Sequence, residues 1–533
     1  DTTWSATDSP FQLVGQVVVS PGVTLTIEPG VTVKFDSGKA LQVQGELVAQ
    51  GTSTSTITFT SSAASPAAGD WSFIQFTDSS TDASFDGDGD YTGGSILEHC
   101  VIEYGGGIGP GSGAVEVDQA LPFINYCTIR YSGSTGIHYK SGSLKVHNST
   151  ISQNENRGIW SNEDNDSAPA YSVSLINNTV SNNSSQGINI YKVGSGNTGS
   201  VNIDNNTVTG NGSYGIYIQI PNSDLTITNS TIDSNGSAGI YVGHAAFTIT
   251  NNDITNNVRG ITVVNGSGSP NVISGNTIAY NDSRSAGGLS NLGSGYGGLF
   301  INRPVGGQFT IQNNNIIGNK ATTAAGAYIA IDGSGTNVVT ISGNIIAGNI
   351  STETSNYYGG TLFARIDTKG SGSSSSISNN TITQNTAPTY AGGSIYLVAY
   401  GKTNSFTNNT ITGNTSTDAD GSTLFLSGVA DISNNNIHSN QSTYEAYLGS
   451  DGAVINVSGH SLDLNVENNW WGTDDSSVVA AKVYDFWDNA SLGTFDYTPV
   501  LTSINTAAPP SPPTNIAAQT GPTTIALAWD ANP

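Results

Sequence analysis

Short runs of three to five residues, rich in Ile, Val and Tyr and closed by Asn or Gly, follow one another along most of the chain, as in Ile203-Asp-Asn-Asn-Thr-Val-Thr-Gly-Asn211 and Gly215-Ile-Tyr-Ile218. They are too short for helices, and their boundary residues tolerate left-handed backbone angles, so the pattern predicts strands and turns. The phrase recurs every 22 to 38 residues and carries a fixed beat. An asparagine, twice a serine, is followed five residues later by another asparagine, in eleven pairs from Ser149/Asn154 through Asn206/Asn211 to Asn435/Asn440. A recurrence of this length means a solenoid. One circuit per phrase lays equivalent strands parallel at roughly 4.8 Å, so that equivalent side chains form ladders. An asparagine amide both donates and accepts along such a stack, which relieves a cost of about 1 to 3 kcal/mol per unpaired inward polar group. Surface turns alone would explain the abundance of asparagine but not the fixed offset.

The phrase Leu-x-Ile-x-Asn-Asn-x-Ile-x-x-Asn-x-x-x-Gly-Ile resembles the repeat of right-handed parallel β-helix proteins of the pectate-lyase-like architecture. The stretch Val14 to Phe35 resembles the opening coils of large secreted bacterial β-helix proteins. Asn468-Asn-Trp-Trp-Gly472, then Tyr484-Asp485 and Phe495-Asp-Tyr-Thr-Pro499, resembles their closing segment. The resemblance implies an all-β chain, a single-stranded right-handed parallel β-helix solenoid with Asn ladders. It is specific for fold only, because lyases, hydrolases, epimerases, adhesins and inert shafts share the coil.

This places the β-helix at 1–503, with capping coils at about 1–60, repeats at about 95–470 and a closing segment at about 471–503. From Cys100 to Asn469 there are thirteen intervals over 369 residues, about 28 per coil. At roughly 4.8 Å per coil they would make a rod of about 60 Å. Residues 504–513 form a Pro-rich linker, stiff by composition. Thr514-Asn-Ile-Ala-Ala and Thr523-Thr-Ile-Ala-Leu-Ala-Trp529 resemble the first two strands of a fibronectin type III domain, so 514–533 is a partial segment of one.

Charge narrows the partners. Fifteen Lys and Arg oppose forty Asp and Glu, giving −25, which makes nucleic acid and anionic membranes poor partners and suits an extracellular setting or bound cations. The sequence holds no run of 18 apolar residues and no leader before Asp1. It therefore reads as a mature, secreted or cell-surface chain without a membrane span. Cys100 and Cys127 occupy the slot that later coils give to Asn or Ser, so they should stack in adjacent coils. A buried thiol ladder and a disulfide are both compatible with that placement.

Candidate chemistry is sparse. Asp86, Asp88 and Asp90 alternate with glycines in Phe85-Asp-Gly-Asp-Gly-Asp90, which suits oxygen ligation of Ca2+, with Asp82 as a further ligand. A solvated acidic turn is the bland reading. The six histidines fall at different points of the repeat, and His138 and His147 read as separate surface or turn residues. Arg365, Lys369 and Lys402 form the best basic cluster, and Asp418 and Asp420 one carboxylate pair. Neither rises to a catalytic constellation, so no catalytic residue is assigned. Coil-length variation gathers between the second ladder asparagine and the next strand. There Tyr296, Tyr357, Tyr358, Tyr390, Tyr444 and Tyr447 offer flat rings with polar tips for a sugar or a protein neighbour, or else anchor the loops. The expected function is an extracellular structural or adhesive element, a spacer, surface-layer or filament subunit contacting copies of itself, other surface proteins or polysaccharide. The alternative is a polysaccharide-active lyase, epimerase or glycoside hydrolase.

Overall fold

The computed structural model describes the chain apart from residues 108–111, 141, 164–170, 193–198, 222, 244–245, 265–269, 285–294, 303–306, 332–334, 353–360, 368–369, 389–394, 401–402, 417–421, 428–430, 449–463, 486, 489–492, 513, 521–524 and 531–533. It divides into two compact units, Asp1–Ser269 and Pro270–Pro533.

In the first unit each coil gives one strand to each of three parallel sheets. One such coil runs Gly199–Asp204 in the first sheet, Thr207–Thr209 in the second and Ile216–Gln219 in the third. The next coil repeats the register, with Ile203 opposite Ile227, Val208 opposite Ile232 and Ile218 opposite Val242. Strand alternation turns every second side chain inward, and Ile137, Ile159, Ile188, Ile216, Ile240 and Ile261 are fully buried. The corners turn because the residue before each ladder position has positive φ. Asn177, Asn205, Asn229 and Asn251 do this at the first corner and Asn182, Ser234 and Asn256 at the second. This is why the repeat reads Asn-Asn: the first tolerates the left-handed angle and the second enters the stack.

Both ladders form. In the first unit Asn154 donates Nδ2–H to Asn183 at 2.8 Å, Asn183 to Asn211 at 2.9 Å, and Asn211 and Asn235 each to the next asparagine at 3.0 Å. The first ladder extends back through the cysteines. The Cys127 backbone N–H donates to Ser149 Oγ at 3.0 Å, and Cys127 Sγ donates to the carbonyls of Leu97 (3.2 Å) and Asn125 (3.4 Å). Those carbonyls correspond to the ones that Asn206 Nδ2 reaches on Leu175 and Asp204 three coils on. The thiols of Cys100 and Cys127 are free and buried, and the register of Val101 against Thr128 makes the two cysteines neighbours in successive coils.

The second unit repeats the plan. Its first ladder runs from Asn276 through Asn314, Asn344, Asn380, Asn409 and Asn435 to Asn469, and its second from Asn281 to Asn440. A fourth small sheet joins Lys320–Ala321, Ile350–Ser351, Thr386–Ala387 and Thr415–Ser416. Residues 505–511 lie on the outer face of the second sheet: Asn505 exchanges hydrogen bonds with Asn436 at 2.7 and 3.0 Å, and Ser511 Oγ sits 3.4 Å from His438 Nε2. Thr514–Thr520 and Ile525–Asp530 pair antiparallel. Among the described residues no helix is long and apolar enough to cross a membrane.

Candidate functional site

The outer face of the third sheet in the first unit departs from the repeat. Val115 and Val117 are fully buried, so Glu116 between them faces outward. Glu116 lies opposite His138 and His138 opposite Trp160. Lys140 follows the second of these strands directly, and its backbone N–H donates to the Val117 carbonyl at 2.9 Å.

Glu116 and His138 are only 5 % and 4 % exposed. Glu116 Oε2 is 3.4 Å from Lys140 Nζ, its Oε1 is 3.8 Å from His138 Nδ1, and it accepts from the Gly113 N–H at 3.4 Å. Burial alone would raise the Glu116 pKa. The neighbouring His138, the positive charge of Lys140 and the Gly113 amide outweigh it and hold the group below the usual carboxylate range. The imidazole stacks on Trp160 with ring centroids 4.6 Å apart and 16° between planes. Arg157 lies 4.4 Å above the Trp160 ring and donates to Gln186 at 2.8 Å. Further along the face Tyr217 and Tyr241 stack at 4.5 Å and 6°, with Tyr214 edge-on at 5.2 Å from Tyr217. Rings stacked this way use their faces on each other, and the Tyr217 hydroxyl donates to Gln219 Oε1 at 2.8 Å.

Sequence reading missed Glu116, Asp118 and Trp160, and separated His138 from them. The usable signal was a spacing of 22 residues from Glu116 to His138 and again to Trp160, the same as from Cys127 to Ser149. It was hidden because the strand bearing Glu116 opens Gly-Ala-Val instead of Gly-Ile.

The acidic triplet lies on a hairpin, Ser84–Phe85 against Tyr91–Gly93. The hairpin packs by Phe85 and Tyr91 on Phe123, with Lys145 Nζ 3.4 Å above the Phe85 ring. Asp86 Oδ1 accepts from the N–H groups of Asp88 (3.0 Å) and Asp90 (2.9 Å), which caps the turn. No group of three His, Cys, Asp or Glu among the described residues is placed to hold a metal ion.

Of the tyrosines, Tyr296 packs on Phe300 (4.3 Å) and Tyr328 (4.6 Å), and Tyr444 meets Tyr484 at 5.0 Å edge-on. Both make the contacts of loop anchors. Phe300, Tyr328 and Phe363 form their own column, with Tyr328 stacked on Phe363 at 4.5 Å and 8°. Tyr357, Tyr358, Tyr390, Lys369, Lys402, Asp418, Asp420 and the side chain of Tyr447 lie outside the described residues.

The sequence model of the right-handed beta helix region matches residues 53–219, 110–278 and 195–363, together more than half of the chain. The chain belongs to the right-handed beta-helix family. Among solved structures it is similar to pectate lyase Pel9A (14 % identity over 72 % of each chain, TM-score 0.27). It is also similar to the Dettilon tailspike protein (11 % identity, 74 % of this chain and 58 % of that one, TM-score 0.18). A third is DFA-IIIase from Arthrobacter chlorophenolicus A6 without its lid (11 % identity, 90 % and 89 %, TM-score 0.24). Scores this low carry no inference about activity. No curated protein matches the chain.

Proposed function

We propose that the protein is an extracellular adhesive β-helix that contacts polysaccharide through the outer face of its third sheet in the 1–269 unit. The observation that carries this reading is the column Glu116, His138, Trp160, Asn189, Tyr217 and Tyr241, one outward register of six successive coils. Equivalent inward positions repeat one apolar type, whereas this column changes residue at nearly every coil, with Trp160 and Tyr217 half-buried and the others buried. Such a strip suits many modest contacts along an extended chain of sugars. Copies of the chain and other surface proteins are further partners on this reading, with 514–533 a partial fibronectin type III-like segment.

One observation favours turnover as a second reading. Glu116 and Asp118 stand two residues apart in sequence, Glu116 near the end of the strand Gly113–Val117 and Asp118 just past it, and glycoside hydrolysis uses such a pair of carboxyl groups. One experiment separates the two. Wild type, Glu116→Gln and Asp118→Asn are incubated with pectin, alginate, xylan and chitin, and bound protein, reducing ends and unsaturated uronate absorbance are followed. Adhesion predicts retention on at least one polysaccharide without product. Product formation abolished by either substitution would replace it with the enzyme, and neither retention nor product would reject both.

A further inference from the structure

We propose that residues 505–511 are a proton-operated latch. They cover His438 on the outer face of the second sheet and leave that face when the imidazole gains a proton, which lengthens the tether to the paired strands Thr514–Thr520 and Ile525–Asp530. The latch is independent of the polysaccharide reading and of the third sheet.

The covered positions belong to an outward column that is open upstream. Ile345, Thr381, Thr410 and Asn436 follow one another in register. Ile345 is 41 % exposed, whereas Thr381, Thr410 and Asn436 are buried, and so are Ala508 and Ser511 in the covering segment. Few bonds hold that segment down. Besides its exchange with Asn436, Asn505 donates Nδ2–H to Asn408 Oδ1 at 3.0 Å and to the Asn434 carbonyl, and Thr410 Oγ1 donates to the Pro509 carbonyl. Pro509 and Pro510 have no N–H to add. A contact built from a handful of neutral hydrogen bonds, each of modest net value, is one that a single buried charge can reverse.

Nothing around His438 answers such a charge. On its own strand the ring has Nδ1 3.0 Å from Ser439 Oγ, and in the cover Nε2 meets Ser511 Oγ. Thr412 lies opposite on the preceding coil. On the following side Gly472 packs against it, where a Cβ would stand 3.0 Å from His438 Cβ and 3.8 Å from Lys482 Nζ. Lys482, which donates to the Trp471 carbonyl at 2.7 Å, is the charged group that faces the ring among the described residues, and it repels a second cation. The stretch Thr502-Ser-Ile-Asn-Thr-Ala-Ala-Pro-Pro-Ser-Pro512 contributes no acid, in a chain that holds forty. An imidazolium here would sit beneath an uncharged cover and beside an ammonium, and lifting the cover returns it to water.

The direction in pH follows. Burial, reinforced by the charge of Lys482, lowers the His438 pKa from its usual 6.5. The uncovered ring therefore takes up the proton first as pH falls, so closure is fully favoured above about 6.5 and is lost as pH drops through the lowered value of the covered ring. Release of seven Pro-containing residues adds roughly 20 Å of reach.

The test is hydrogen exchange of the full chain read by mass spectrometry between pH 7.5 and pH 4, corrected for the intrinsic rate. The reporters are the Asn505 amide, which donates to Asn436 Oδ1, and the Ala507 amide, which donates to Asn505 Oδ1 at 2.9 Å. The Asn409 and Asn435 amides, each held by the next ladder asparagine, are the control. The reporters are expected to lose protection as the pH falls below about 6.5 while the control amides keep theirs. His438→Gln, which stays neutral, and Ser511→Asp, which sets a carboxylate over the ring, should both keep the segment closed through the same range, with thermal melting at pH 7.5 as the folding check. Should His438→Gln fail to fold, Ser511→Asp decides alone. Protection independent of pH in the wild type, or lost equally in a variant that folds, would overturn the latch. Simultaneous loss at Asn409 and Asn435 would overturn it too, because acid would then be opening the coils and not the cover.

Discussion

Asn211 holds its place through both ends of one amide. Its Nδ2 donates to Asn235 Oδ1 at 3.0 Å and to the Val180 carbonyl at 3.1 Å, while its Oδ1 accepts from the Asn183 backbone N–H at 3.1 Å and from Asn183 Nδ2 at 2.9 Å. Asn211→Ala leaves these groups buried without partners and is expected to cost roughly 3 kcal/mol in denaturant unfolding. Asn211→Ser should cost about 1 kcal/mol, because Ser230 already serves the first ladder, accepting from the Asn206 N–H and donating to the Thr228 carbonyl. Equal losses would show that packing volume, not hydrogen bonding, governs the position. His147 adds a pH dependence. Burial, reinforced by the charge of Lys145, lowers its pKa from 6.5 to about 4. The unfolded chain then takes up the proton first as pH falls, so the stabilisation is complete above about 6.5 and is lost on the way down to about 4. The Tm of His147→Gln should fall less between pH 7 and pH 4.5 than that of the wild type. Parallel falls would dismiss the link.

At the level of strands and corners, the third sheet begins on glycine for a reason of space. A Cβ on Gly215 would lie 2.7 Å from the Gly239 carbonyl oxygen and 2.8 Å from both Asn235 Nδ2 and Ile232 Cγ2. Gly215→Ala should therefore destabilise by about 1 to 3 kcal/mol and speed hydrogen exchange at Asn211 and Asn235, whereas an unchanged unfolding midpoint would show that the coil yields. The motif Asn-x-x-x-Gly-Ile is thus one contact spelled in two places. This made the ladders legible in sequence, since a single residue type satisfies both neighbours and must recur in step. The outward columns follow no such rule, because their neighbours accept many side chains. Glu116, His138 and Trp160 could be grouped only through strand register. A further outward stack, in which Asn148, Asn177 and Asn205 each donate to the preceding coil at 2.8 to 3.0 Å, was equally hidden. These asparagines looked sufficiently explained by their left-handed turns.

Across the whole chain the dominant quantity is a net charge of −25. Diffuse self-repulsion makes any cation stabilising to some degree, so a calcium effect on Tm alone would not identify a site. The Asp86 to Asp90 turn gives the sharper question. Asp86 Oδ1 is occupied by two backbone amides, leaving Asp88, Asp90 and the second Asp86 oxygen for a ligand. A specific site predicts that calorimetric calcium binding disappears in the triple Asp→Asn variant, while the stabilisation by sodium chloride at equal ionic strength is kept. Equal calcium heats from both proteins would leave only the diffuse effect.

The ladders also set how the protein ages. Asn211-Gly212 and Asn235-Gly236 belong to the dipeptide type most prone to deamidation, in which the glycine nitrogen attacks the asparagine side-chain carbon and expels ammonia. Here the Gly212 N–H is engaged by the Asn183 carbonyl at 2.8 Å and the Gly236 N–H by the Asn211 carbonyl at 2.9 Å, while each side-chain amide is held by the adjoining coils. The nucleophile and its target are both occupied as long as the coils stay closed. Once made, an aspartate at either place could not donate to the coil before it and would hinder reclosure. Peptide mapping of stored samples should therefore find the deamidated mass almost absent at these two sites under native conditions and abundant after incubation in denaturant, so that each modified copy keeps a chemical record of having once come open.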